Sequence, residues 1–250
     1  MAVERTERES AILAKLADDG RLSVSGLASD FGVSEVTIRG HLRTLEQQGM
    51  LVRTRGGARP ITLQGILQRQ QVNVEAKEKI AQAAAELIGD DDTVMIEAGT
   101  TAALIARHLT GRRGVQIVTN STLVFNNART NPALNIILAG GVFRPESESL
   151  VGPLAERAIA DFNTRIAFLG TDGFLPERGL TTHFVEGAQV ATTMRERAEQ
   201  TWLVADSSKF GQAGFVSFLP LDAITGIITD SGLPDDAVEA LKEHTHVRIV

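Results

Sequence analysis

The chain has 250 residues, no cysteine and a formal net charge of −6. This length is enough for a full hydrophobic core and a small second domain, and the absence of cysteine excludes disulfide bridges and thiolate metal sites. No apolar run approaches the roughly 18 residues of a membrane span, and the charged first ten residues lack the apolar stretch of a secretory signal. We therefore expect a cytoplasmic protein with no membrane partner, no metal ion and no other cofactor.

A basic segment lies near the N-terminus although the whole chain is acidic. Residues 34–59 contain five arginines and two glutamates, which is an excess of three positive charges. Exposed charges separated by more than a Debye length of about 8–10 Å are largely screened, so this local excess decides the attraction to phosphates. The acidic total therefore does not exclude a DNA-binding protein.

Helix periodicity predicts three helices before residue 50. A capping box, Thr6-Glu-Arg-Glu9, predicts that the first helix begins at Thr6, and Gly20 is placed to end it. Gly32 supplies a tight turn after the second helix, and Ser34 caps the third. The apolar positions that we expect in the core of this small domain are Ile12, Leu13, Leu16, Val24, Leu27, Ala28, Phe31, Ile38, Leu42 and Leu45.

The third helix has one face for the core and an opposite face that carries arginines. At about 100° per residue, Ile38, Leu42 and Leu45 point to the same side. Arginine on the other side can make bidentate contacts to guanine, and hydroxyl groups can hold phosphates. Gly49 is placed to end this helix, and residues 51–59 then form a hairpin wing whose arginines contact backbone phosphates.

These features together predict a winged helix-turn-helix domain over residues 1–59 that binds double-stranded operator DNA. On helix periodicity alone, a small helical domain with solvated surface arginines is the alternative. The predicted DNA-binding residues are Ser34, Val36, Thr37, Arg39, Gly40, Arg43, Arg53 and Arg55.

Residues 60–78 are polar and rich in glutamine, which predicts a linker, and residues 79–250 form a second domain. There, short apolar segments alternate with helical patterns, which is typical of a doubly wound, mainly parallel α/β sheet covered on both faces. The predicted strands are Thr93–Glu97, Gln116–Thr119, Asn135–Ala139, Arg165–Gly170, Thr201–Ala205, Gly226–Thr229 and Val247–Val250. The predicted helices include Ile80–Ile88, Thr101–Leu109, Pro153–Ala160, Gln189–Ala198 and Pro234–His244.

Small and polar residues follow each of the first five predicted strands. Parallel sheets bind ligands at the carboxyl ends of their strands, so these loops form one candidate site. Glycine lets the backbone approach a ligand closely, and threonine hydroxyls with free helix N–H groups can hold an anion. Each loop taken singly is more typical of a plain turn or a helix cap, but their shared position favours a phosphorylated, polyhydroxylated effector.

We expect the glycine-rich turns and Lys209 to hold the phosphate of this effector, and Asp172 and Asn120 to bind its hydroxyl groups. The predicted effector-binding residues are Glu97, Gly99, Thr100, Thr101, Asn120, Gly140, Gly141, Asp172, Gly173 and Lys209.

Several motifs resemble one family of bacterial regulators. In the N-terminal domain they are Leu27-Ala, Phe31-Gly-Val-Ser34, Thr37-Ile-Arg39 and Arg55-Gly-Gly-Ala58, and in the second domain they are Gly99-Thr-Thr101, Thr119-Asn-Ser121, Ala139-Gly-Gly141 and Asp206-Ser-Ser-Lys209. The pattern resembles the DeoR family of sugar-responsive repressors, whose effector domain is similar in fold to ribose-5-phosphate isomerase. The chain has Gly40-His41 where the family usually has Arg-Asp, and Glu97 where it usually has aspartate.

The resemblance implies a transcriptional repressor that leaves operator DNA, or changes its binding to it, when a phosphorylated sugar binds. It also implies a homo-oligomer, either a dimer or a larger assembly. Such an assembly suits a DNA-binding protein that recognises two half-sites separated by about one helical turn or a multiple of it.

A sugar-phosphate isomerase is the alternative function. The isomerase family places its catalytic glutamate after a Lys-Gly-Gly-Gly-type loop, because the reaction needs a general base held against the sugar carbon. The matching region after Leu180 has no glycine run, and Glu186 is its nearest candidate base. We therefore predict a regulator with no catalytic residues rather than an enzyme.

Overall fold

A computed structural model describes residues 2–19, 21–47, 51–59 and 66–250 of the protein. By its internal contacts the chain divides into two compact units, Met1–Leu67 and Gln68–Val250. No helix in these covered ranges is long and apolar enough to cross a membrane.

The first unit has the winged helix-turn-helix arrangement. Its helices and strands in chain order are α1 (Ala2–Asp19), β1 (Leu22–Ser23), α2 (Val24–Phe31), α3 (Glu35–Gln47), β2 (Val52–Thr54) and β3 (Gly57–Arg59). The three short strands form an antiparallel sheet in the order β1-β3-β2. This sheet fixes the β2–β3 hairpin, which is the wing, next to the helices.

The core of the first unit is the apolar set that helix periodicity predicts. Ile12, Leu27, Ile38, Leu42 and Leu45 are each at most 1% exposed. At Gly32 the backbone is left-handed (φ 61°), and its N–H closes the end of α2. The side chain of Ser34 accepts a hydrogen bond from the Thr37 N–H at 3.2 Å. The predicted turn and the predicted cap of α3 are therefore confirmed.

The predicted start of the first helix is wrong. The helix begins at Ala2, so Thr6 lies inside it and does not cap it. Alanine, glutamate and arginine precede Thr6 and are strong helix formers, which favours extension of the helix toward the N-terminus. Gly20 and Gly49, the predicted helix ends, lie outside the described residues.

The second unit contains the remaining elements. Its helices in chain order are α4 (Ile66–Gln70, which begins at the unit boundary), α5 (Val74–Ala85), α6 (Ala102–Ile105), α7 (Thr122–Ala128), α8 (Pro153–Ala160), α9 (Val185–Glu196) and α10 (Asp235–Lys242). Its strands are β4 (Thr93–Ile96), β5 (Val115–Thr119), β6 (Leu134–Leu138), β7 (Val142–Arg144), β8 (Ser149–Val151), β9 (Thr164–Leu169), β10 (Gly173–Leu175), β11 (Gly179–Thr182), β12 (Ala198–Val204), β13 (Val216–Leu219), β14 (Gly226–Thr229) and β15 (His246–Ile249).

A parallel sheet with the strand order β15-β14-β12-β9-β4-β5-β6 forms the centre of this unit. The chain runs outward from β4 to β6 and then returns to place β9 on the other side of β4. All seven predicted strands belong to this sheet, each within a few residues of its predicted bounds, so the predicted α/β class is confirmed. The reversal between β4 and β9 is the topological switch point, where such sheets open a crevice for ligands.

Helices cover both faces of the sheet. Along β4, Val94 and Ile96 pack into one apolar cluster with α5, α6 and α7, whereas Met95 packs into a second cluster with α8, α9 and α10. Successive side chains of a strand point to opposite faces, so a strand covered on both sides must be apolar throughout. That requirement explains why the apolar runs in the sequence locate the strands well.

Two smaller β structures were not predicted. The strands β7 and β8 form an antiparallel hairpin after β6, and β10, β11 and β13 form an antiparallel sheet after β9. These strands have only three or four residues each, which is too short for an alternating pattern to distinguish them from loops. Both structures follow the carboxyl ends of central strands and therefore surround the candidate site.

The predicted linker is too long at its C-terminal end. Helix α4 and the beginning of α5 lie within residues 60–78, and residues from Gln68 onward belong to the second unit. The ammonium group of Lys77 is buried and donates to the Val72 carbonyl at 2.7 Å and to the Arg69 carbonyl. These contacts order a glutamine-rich segment that has little apolar surface of its own.

We predict that Gly173→Ala destabilises the protein. A Cβ atom at residue 173 would lie 2.2 Å from the Gln212 carbonyl oxygen, so the backbone would have to shift. We expect the free energy of unfolding to fall by about 1–3 kcal/mol. Urea denaturation followed by circular dichroism measures this change. The control is Gly140→Ala, because a Cβ there meets no atom within 4 Å; equal effects of the two variants would contradict the prediction.

Candidate functional sites

The outer face of α3 is accessible along its length. Val36 is 79% exposed, and Arg39, Gly40 and Arg43 are also exposed. Arg43 makes no hydrogen bond or ion pair with any described residue. Arg39 pairs with Glu35 at 3.2 Å, but both side chains are half exposed, and such surface pairs contribute little. The arginines on this face can therefore turn toward a nucleic acid at little cost.

The two predicted wing arginines differ in their contacts. Arg53 is held against α3, because its Nε lies 2.6 Å from Glu46 Oε2 and its backbone N–H donates to Glu46 Oε1 at 3.1 Å. Arg55 is exposed at the tip of the wing and has no partner among the described residues. Arg55 is consequently the better candidate for a phosphate contact, whereas Arg53 would first have to leave Glu46.

Ser34 and Thr37 stabilise the beginning of α3. In addition to the capping hydrogen bond, their hydroxyl oxygens lie 2.9 Å apart. Both side chains are exposed. Hydroxyl groups at a helix N-terminus are suited to a phosphate oxygen, so the arrangement is compatible with their predicted role.

In the second unit, a buried carboxyl group lies at the switch point of the sheet. Glu97 follows β4, and its Oε2 accepts a hydrogen bond from the Gly170 N–H, which follows β9, at 3.3 Å. Burial raises the pKa of Glu97 to about 8, and the nearby charge of Asp172 acts in the same direction. At neutral pH Glu97 is therefore mainly protonated and can donate a hydrogen bond.

The loop after Glu97 presents backbone N–H groups. The N–H groups of Thr100 and Thr101 have no acceptor among the described residues. Gly99 accepts a hydrogen bond from the Ala103 N–H at 3.0 Å, which joins the loop to α6. Unpaired N–H groups at the start of a helical turn attract anions. This geometry fits the phosphate-binding role predicted for the loop.

Asn120 has a positioning role inside the protein, and its predicted contact with a hydroxyl group of the effector stays a prediction. Its side chain is fully buried. Its Oδ1 accepts from the Ala98 N–H at 3.2 Å, and its Nδ2 donates to the Leu150 carbonyl at 3.3 Å. Both ends of the amide are thus used inside the protein, and Asn120 braces the loop after β4 against the strand β8.

The predicted glycines fall into two groups. Gly99 and Gly140 have room beside them, whereas a Cβ atom at Gly141 would lie 2.8 Å from the Val151 carbonyl oxygen. Gly173 is similarly enclosed by Gln212. The glycines at 141 and 173 are therefore required by close backbone packing, which the sequence alone does not distinguish from close approach to a ligand.

Asp172 is already paired with a residue that the sequence reasoning missed. Its Oδ1 lies 3.1 Å from Arg69 Nη1, and its Oδ2 accepts from the Thr182 hydroxyl and the His183 N–H, both at 2.9 Å. Arg69 also donates to the Glu146 carbonyl at 3.0 Å. In the sequence, Arg69 is one of only two cations in the polar stretch 60–78, and nothing local assigns it to a site.

A second group of charged residues surrounds Lys209, which is partly exposed and has no ion-pair partner among the described residues. Burial lowers the pKa of Lys77, with the nearby Lys209 and Arg69 charges acting in the same direction and Asp206 opposing them. Asp206 is buried and accepts from the Asn73 side chain at 2.8 Å. Arg69 thus lies within electrostatic range of both Glu97 and Lys77 and connects the two groups.

Glu186, the candidate base of the isomerase alternative, is also paired. Its Oε1 lies 3.0 Å from Arg144 Nη2, and the Arg144 guanidinium stacks over the Phe184 ring at 4.4 Å. Glu186 would have to leave Arg144 before it could reach a substrate proton. Arg144 adds a further cation to this edge of the sheet.

Comparison with known proteins gives consistent matches for both units. A DeoR-like helix-turn-helix domain matches residues 8–64, and a DeoR C terminal sensor domain matches residues 72–231. The HTH-type transcriptional regulator GlpR of Haloferax volcanii is 36% identical and covers 94% of each chain. The glycerol-3-phosphate regulon repressor of Escherichia coli K12 is 28% identical and covers 99% of each chain. Among solved structures, ribose 5-phosphate isomerase A of Methanocaldococcus jannaschii aligns with a TM-score of 0.41 and 20% identity over 55% of each chain.

We predict that Glu97→Gln flattens the pH dependence of stability. The pKa of Glu97 in the folded protein is about 8, above the ordinary value of 4.5, so its stabilising contribution is complete below pH 4.5 and is lost as the pH rises toward 8. The free energy of unfolding of the wild type should fall relative to the variant by up to about 1.4 kcal/mol per pH unit across this window.

Urea denaturation at pH 5, 6.5 and 8 measures this difference. The control is Glu196→Gln, which changes an exposed glutamate at the end of α9. Parallel pH profiles for the wild type and Glu97→Gln would show that the carboxyl group is ionised in the folded protein.

Proposed function

Since the chain belongs to the DeoR family of helix-turn-helix transcriptional regulators, we propose that it is a repressor whose hold on operator DNA is relieved by a phosphorylated sugar. It is a DNA-binding regulator rather than an enzyme. The observation that supports the effector assignment is that the loop after β4, whose Thr100 and Thr101 N–H groups have no acceptor among the described residues, meets the Asp172-bearing loop after β9 at the switch point of the sheet.

The proposed effector has a phosphate at one end and hydroxyl groups at the other. The N–H groups of Thr100 and Thr101, together with Lys209, supply positive potential for the phosphate. Asp172 and the protonated carboxyl of Glu97 supply an acceptor and a donor for hydroxyl groups. The Escherichia coli relative is named for glycerol 3-phosphate, a phosphorylated polyol, which supports this class of ligand.

On the DNA side, α3 enters the major groove with Arg39, Gly40 and Arg43 toward the bases, and the wing contacts the backbone. The exposed Val36 is suited to the methyl group of thymine. One such unit reads a short half-site, so we propose that at least two copies act together on half-sites one helical turn, or a multiple of it, apart. We also propose that it acts in the cytoplasm, where a chain without cysteine is indifferent to the reducing conditions.

We predict that Arg43→Ala weakens specific DNA binding by about 1–3 kcal/mol, because Arg43 is a cation on the outer face of α3 that pairs with no described residue. The probe is a duplex selected from a random library by the wild-type protein, and gel shift measures the affinity. Arg55→Ala should weaken binding to all duplexes similarly and reduce the salt dependence.

Arg113→Ala is the matched control, because it removes an 85%-exposed arginine from the second unit. Wild-type affinity in both Arg43→Ala and Arg55→Ala would rule out the proposed DNA-binding face.

We predict that Lys209→Ala raises the sugar-phosphate concentration needed for DNA release by roughly ten- to a hundredfold, because one charge-assisted contact is lost. DNA affinity without effector should stay at the wild-type level. Thr100→Ala should give a milder effect of the same kind, and Lys242→Ala on α10 is the control. Release at the wild-type concentration by Lys209→Ala would place the phosphate elsewhere.

A panel of sugar phosphates in a thermal-shift assay identifies the compound for this measurement. A ligand at 100 times its dissociation constant stabilises a protein by about 2.7 kcal/mol. The panel includes ribose 5-phosphate, and its turnover by the protein would support the isomerase alternative instead.

A further inference from the structure

The segment Gln68–Asn73, here called the strap, is fastened to the site by polar contacts. Arg69 reaches two separate loops, because it pairs with Asp172 after β9 and donates to the Glu146 carbonyl between β7 and β8. At the other end of the strap, Asn73 donates to Asp206 Oδ1 at 2.8 Å. Both carboxylates belong to loops at the carboxyl edge of the central sheet.

Hydrophobic burial contributes little to this fastening. Gln68, Gln70 and Gln71 are exposed, and Val72, the one aliphatic residue of the strap, is 47% exposed. Burial of apolar surface is the main force that holds most segments in place, and here it is largely absent. The position of the strap therefore depends on polar contacts, namely the side-chain partners of Arg69 and Asn73 and the buried Lys77 ammonium, which donates to two of the strap carbonyls.

Arg69 has unused capacity for an anion. Its Nε is buried and has no hydrogen-bond partner among the described residues, although two of its other nitrogens are paired. A guanidinium group binds phosphate or carboxylate oxygens through two parallel N–H groups. An anionic ligand in the crevice would thus compete directly with Asp172 for Arg69.

We propose that Arg69 is a binding residue for the anionic group of the effector, and that its transfer from Asp172 to that group releases the strap. This proposal rests on the proposed function. Along the chain the strap continues through residues 60–67 into the DNA-binding unit. A ligand that changes the partner of Arg69 therefore acts on the segment that leads to the DNA-binding unit. Allostery requires contacts that differ between the ligand-free and ligand-bound states, and the change of partner at Arg69 is such a difference.

The first test needs no effector. Arg69→Gln removes the pair with Asp172, so it should lower the affinity for the selected duplex at least tenfold in the absence of sugar phosphate. The matched control is Arg165→Gln. Arg165 also pairs with an aspartate, Asp92, and donates to a backbone carbonyl, that of Leu87, but at the opposite edge of the same sheet.

Arg165→Gln should bind the duplex within twofold of the wild type. Asp172→Asn removes the other partner of this ion pair and should also lower the affinity for the selected duplex. The double variant Arg69→Gln/Asp172→Asn should bind the duplex no more weakly than the single variants. Asp172→Asn also keeps the test decisive if Arg69→Gln does not fold. Wild-type DNA affinity in folded Arg69→Gln would overturn the proposal.

The second test follows the strap itself by hydrogen exchange of the full chain. In Arg69→Gln the amides of residues 68–73 should exchange at least tenfold faster, while those of β4 and β9 keep their wild-type rates. The sugar phosphate with the largest thermal shift should accelerate exchange of the wild-type strap. It should bind Arg69→Gln at least tenfold more weakly and leave its strap unchanged. Slower exchange of the wild-type strap with ligand would overturn the proposal.

The two proposals fail in different ways. If no compound in the panel binds the wild type, the effector assignment fails, and the DNA affinities of Arg69→Gln and Asp172→Asn still decide the role of the pair. If a compound binds and releases DNA equally well from the wild type and Arg69→Gln, the proposed function stands and Arg69 has no part in it.

Discussion

The reversal of strand order between β4 and β9 is the constraint on which the second unit depends. A parallel sheet must be covered on both faces, and the crossovers from β4 and β9 leave on opposite sides of it. No helix can then cover the carboxyl ends of these two strands, so a crevice is left there. The loops that follow the two strands meet through the hydrogen bond between the Gly170 N–H and Glu97.

Much of the polar structure around this crevice holds the loops rather than a ligand. Asn120 braces the loop after β4, and Thr119 Oγ1 donates to the Ile96 carbonyl at 2.6 Å while accepting from the Ser121 N–H. Such buried hydrogen bonds keep the ligand-binding groups in place before a ligand arrives. The site therefore combines loops around β4 that are held by buried hydrogen bonds with a strap, residues 68–73, whose contacts are few and polar.

The central strands were predictable from the sequence because the inner ones, β4, β9 and β14, bury most of their side chains on both faces, which leaves nearly continuous apolar runs. The turn at Gly32 and the cap at Ser34 were predictable because they depend on neighbouring residues only. The strap was mistaken for a linker because much of its order comes from Asp172 and Asp206, which lie more than 100 positions away along the chain. For the same reason, no local signal shows that Asn120 faces inward or that Arg69 belongs to the site.

The empty space beside Gly40 has a consequence for how operators are recognised. A Cβ atom at that position meets nothing within 4 Å, and the residue lies on the outer face of α3. The reading surface therefore has a notch that side chains from ordinary amino acids fit without disturbing the core. If α3 reads the operator as proposed, variation at this single codon would alter operator preference without repacking the core, which makes Gly40 a starting point for building regulators that do not cross-react.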